Sequence, residues 1–136
     1  PRWGFQAEPT GGEVGFMIGE RLPDGTGQVR LMRTDRSGTV LLPPQPVYHV
    51  EDSLGGDFAA EADRGYAFLF GEAFFATSTV RVNFLRVDLD GLVRQQTVLQ
   101  ELLGPHAGAG PLHWRDDHFV GEWGSSPHLM GSLVCR

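Results

Sequence analysis

The segment Val29-Arg30-Leu31-Met32-Arg33-Thr34-Asp35-Arg36-Ser37-Gly38-Thr39-Val40 returns later as Val82-Asn83-Phe84-Leu85-Arg86-Val87-Asp88-Leu89-Asp90-Gly91-Leu92-Val93. The offset is constant: Arg33 to Arg86, Asp35 to Asp88 and Gly38 to Gly91 are each 53 residues apart. Each copy reads as a strand, an Asp-x-x-Gly turn and the start of a further strand. A chain that repeats such a unit is bound to an architecture of similar β-units, one after another.

The repeat extends in both directions. Val14-Gly15-Phe16-Met17-Ile18-Gly19-Glu20 and Tyr66-Ala67-Phe68-Leu69-Phe70-Gly71-Glu72 match at an offset of 52. Both are short, apolar and bounded by glycine, as buried strands are. His118-Phe119-Val120-Gly121-Glu122-Trp123-Gly124 takes the same place in a third unit. There, Ser132 to Arg136 stands where Val82 to Arg86 stands in the second unit, and no Asp-x-x-Gly turn follows. The reading is a single β-repeat region over 1–136, with units at about 1–50, 51–107 and 108–136 and the last unit incomplete.

Within the first unit, Trp3 to Glu8 is an opening strand and Leu22 to Gly27 a Pro-Asp-Gly loop. Pro43, Pro44 and Pro46 cannot donate to a ladder, so the fourth strand should be an edge, or end there. In the second unit, Arg94 to Leu103 fits either a strand or a short helix with Val98, Leu99, Leu102 and Leu103 on one face. The prolines of the first unit favour a strand to about Leu99.

Composition agrees. The chain has 19 glycines and 9 prolines in 136 residues, which suits many short strands joined by turns. Hydrophobic residues make up 40% and charged residues 21%, as in soluble globular domains. No window approaches a membrane span of about 18 apolar residues, and no signal-peptide pattern is present. A net charge of −6 argues against a nucleic-acid backbone as main partner. All 11 basic residues are arginine, a bias that GC-rich bacterial coding explains without function. Cys135 is alone and cannot form an internal disulfide. Its place in an apolar strand predicts a buried, inert thiol.

A four-stranded meander with two apolar faces needs neighbours on both sides. A period near 53 with a turn after the third strand therefore resembles the blades of β-propeller repeat proteins. The Gly-His and Trp-Asp marks of WD repeats and the Gly-Gly doublet of kelch repeats are missing from the matching positions. The resemblance implies an all-β chain of about two and a half four-stranded antiparallel blades. Such a set cannot close a ring alone, so it implies part of a larger or multi-chain propeller.

Several residues could carry chemistry. His113, Trp114, Asp116, Asp117 and His118 form the densest polar cluster and the leading binding candidate, although the repeat places them at a turn. Asp88-Leu89-Asp90-Gly91 opens like a calcium loop, but the matching Asp35 to Gly38 has one carboxylate, so a hairpin turn is favoured. Glu20, Glu72 and Glu122 close the second strands, and Arg33, Arg86 and Arg136 close the third. Paired carboxylates would suit glycoside hydrolysis. A recurring structural ion pair between Glu20 or Glu72 and these arginines is the favoured account. Trp3, Trp114 and Trp123 could stack sugars, but packing between blades is favoured. No metal site, cofactor, phosphate loop or Gly-x-Ser-x-Gly elbow is read.

The functional expectation is a non-catalytic binding or scaffolding module for a protein or glycan partner, or for the remaining propeller chain. Part of a catalytic propeller, such as a glycoside hydrolase or peptidase-associated domain, is the alternative, and a lectin is a third.

Overall fold

The structure is a computed structural model that describes residues 2–51, 53–61, 64–104, 107–125 and 128–135. It is all-β. The strands are β1 (Arg2–Thr10), β2 (Glu13–Arg21), β3 (Gly27–Asp35), β4 (Val40–Val50), β5 (Ser53–Glu61), β6 (Gly65–Phe74), β7 (Thr79–Asp88), β8 (Val93–Leu103), β9 (Ala107–Arg115), β10 (His118–Ser125) and β11 (His128–Cys135). They form three antiparallel meanders: β1-β2-β3-β4, β5-β6-β7-β8 and β9-β10-β11. Among the described residues no helix is long and apolar enough to cross a membrane.

Alternation along the strands creates two apolar layers. Met17, Val29 and Leu31 of the first sheet meet Tyr66, Phe68 and Phe70 of the second. The opposite face of the second sheet, with Ala67, Leu69, Val82 and Phe84, meets Leu112 and Phe119 of the third. The second sheet is therefore covered on both sides, and its β6 is buried from Gly65 to Glu72. Such two-sided burial is why β6 reads as an unbroken apolar run. First strands adjoin first strands, β1 beside β5 and β5 beside β9, and Leu112 N–H donates to Asp57 Oδ2 at 3.1 Å across the second of these junctions. Close approach is built in: a Cβ on Gly15 would lie 2.3 Å from the Tyr66 ring, and one on Gly121 would lie 2.7 Å from Leu69 Cδ2.

The turns after β3 and β7 make the same bonds. Asp35 N–H donates to Thr39 O and Gly38 N–H to Asp35 O; Asp88 N–H donates to Leu92 O and Gly91 N–H to Asp88 O. Gly38 and Gly91 have φ of 89° and 82°, which glycine adopts without steric cost. The first strand of the second unit begins at Ser53.

β4 is the edge strand that its prolines predict, and β8 runs further than its sequence predicts. β4 continues through all three prolines to Val50. It is the sheet edge, so the missing N–H groups cost no ladder bond on the outer side, and register shifts opposite Arg30 to Thr34 absorb the misfit. β8 is a strand to Leu103, past Leu99. Its register shifts opposite Val82/Asn83, which breaks simple alternation and leaves a pattern that mimics helical spacing.

Candidate functional site

The cluster named from sequence sits on the β9–β10 hairpin. Asp116 and Asp117 form its tip, with φ of 50° and 64°, a left-handed pair that aspartate tolerates better than most residues. Both side chains are exposed, and Asp116 lies 3.7 Å from Arg115. His118 Nδ1 donates to Asp116 O at 2.8 Å, closing the turn. His113 is exposed. Trp114 departs from the others: it is half-buried, edge-on to Phe119 with centroids 4.6 Å apart, within the layer between the second and third sheets. Among the described residues no group of three His, Cys, Asp or Glu side chains comes together to hold a metal.

Arg33 and Arg86 are both paired, but Glu20 and Glu72 are not their partners. Arg33 bonds Glu13 and also donates to Leu89 O in the second sheet. Arg86 donates to both oxygens of Glu61 at 2.7 Å and lies over the Phe119 ring of the third sheet, 5.7 Å from its centroid. The two arginines stand opposite Gly15 and Ala67, the third residues of β2 and β6. Each thus ties its own sheet to the next. The pairing inferred from sequence fails for a topological reason: β2 and β3 run antiparallel, so the C-terminal ends that carry Glu20 and Arg33 lie at opposite ends of the sheet. Arg136 lies outside the described residues.

Glu20 and Glu72 lie in different settings. Glu20 is half-buried, accepts from Gln28 Nε2 at 3.1 Å and lies 3.2 Å from Arg30 Nε as an ion pair, on the face of the first sheet that points away from the second. Glu72, 1% exposed, accepts from Tyr48 Oη and from Glu51 N–H, both at 2.8 Å. It anchors β4 and the β4–β5 connection to the second sheet. Burial, then the bond to Glu72, pushes the Tyr48 hydroxyl far above its ordinary range, so Tyr48 remains a donor. Tyr48 also meets Phe70 edge-on, with centroids 4.7 Å apart. Arg81 lies opposite Glu72, bonds Glu101 at 3.0 Å and covers the Phe74 ring at 4.7 Å. Asn83 Nδ2 donates to Arg81 O at 3.0 Å, while its buried Oδ1 has no hydrogen-bond partner among the described residues. Glu122 is exposed.

The second indole described, Trp123, is half-buried, and its Nε1–H donates to Gln100 Oε1 at 2.8 Å, joining the third sheet to β8. Trp3 lies in β1. Sequence reasoning missed Glu13, Glu61, Asp57 and Tyr48. The first two sit beside hairpin turns, where strand ends meet; that proximity was the available signal. Asp57 and Tyr48 are placed by sheet stacking alone. No protein family, characterised protein or solved structure matches this chain.

Proposed function

We propose that the three sheets are consecutive blades of a β-propeller-type repeat, and that the chain is a non-catalytic scaffold that binds a protein partner. One observation carries this reading: Arg33, Arg86, Glu72 and Asp57, four polar side chains at the sheet junctions, are spent on joining sheets. Arg33 reaches the second sheet, Arg86 the third, Glu72 the β4–β5 connection and Asp57 the β9 backbone. Groups used in this way build a rigid frame rather than a reacting centre.

The turns after odd-numbered strands share one end of the meanders. That rim exposes Arg36, Asp90, Arg115, Asp116 and Asp117, a mixed-charge surface suited to a polar protein face. A protein is favoured over a glycan because Trp114 and Trp123 spend their rings on packing instead of offering a flat stacking platform.

The test is site-specific photocrosslinking in cells. A crosslinker at Arg36, Asp90 or Arg115 should trap one and the same protein, and a crosslinker at Asp24, on the opposite end, should not. Equal trapping from Asp24, or turnover of polysaccharide or peptide substrates by the chain, would overturn the proposal.

A further inference from the structure

We draw no further inference here: the strongest candidate, the exposed apolar surface patch formed by Val40 and Leu41 at the start of β4 and by Leu92 and Val93 at the start of β8, carries nothing, because nothing in the structure shows what covers it.

Discussion

Asp35 and Asp88 do at residue level what the repeat promises. Each Oδ1 accepts the N–H groups two and four residues on, Ser37 and Thr39 in one turn, Asp90 and Leu92 in the other. For Asp35, the Ser37 hydroxyl and then the Thr39 N–H hold the carboxyl below its ordinary value of 3.8. For Asp88, burial raises the carboxyl, but Leu92 N–H, Arg94 and Asp90 N–H outweigh it and the net direction is downward. A carboxyl held low in the folded state contributes stability at pH above its unfolded value, and that contribution is lost as pH falls through the folded value. The melting temperature should therefore fall steeply below about pH 4, and Asp35→Asn with Asp88→Asn should make that fall shallower. A thermal melt series over pH 2 to 7 checks it at about one-unit steps; parallel curves would count against the turn geometry.

At the scale of the element, the edge strands show how exposed backbone is managed. β4 carries three prolines and three register shifts, and β8 two shifts, each of which spoils a template for further pairing. Charge ties β5, the other edge of the second sheet, to β7 across β6. Glu61 is 4% exposed and depends on Arg86, with the more distant Arg64 at 3.7 Å. Replacing Arg86 by methionine leaves that carboxylate largely uncompensated and should cost about 3 kcal/mol in urea unfolding. Adding Glu61→Gln to Arg86→Met should recover most of it, because a pair removed together leaves no orphaned charge. If the double variant is no more stable than the single, the pair is not what holds β5 to β7.

For the whole molecule, the order of layers predicts the order of opening. The second sheet has both faces covered, and β6 and β7 hold most of the side chains with no exposed surface. Each outer sheet meets the second sheet through one face. Native-state hydrogen exchange should show amides of β6 and β7 exchanging at least about tenfold more slowly than those of β2 and β3, or about 1.4 kcal/mol in opening free energy. Uniform protection would mean that the three sheets open as one unit.

The strands and turns were legible in the sequence because they rest on local rules: alternation, glycine conformation and aspartate side chains that bond their own backbone. Val14 to Glu20, Val29 to Val40 and their later copies could be placed from those rules alone. The recurrence of Arg33 and Arg86 was equally plain. Their partners were not. Which carboxylate meets Arg33 depends on which ends of antiparallel strands coincide, and that selects Glu13 over Glu20. Whether His113 to His118 gathers into a cluster depends on a two-residue turn that exposes the aspartates and sends Trp114 into a packed layer. Tyr48 with Glu72, Asp57 with Leu112 N–H, and Trp123 with Gln100 link residues in different sheets, so no local pattern announces them. Side-chain periodicity fixes which face a residue takes; only the stacking of one sheet on another decides what that face meets.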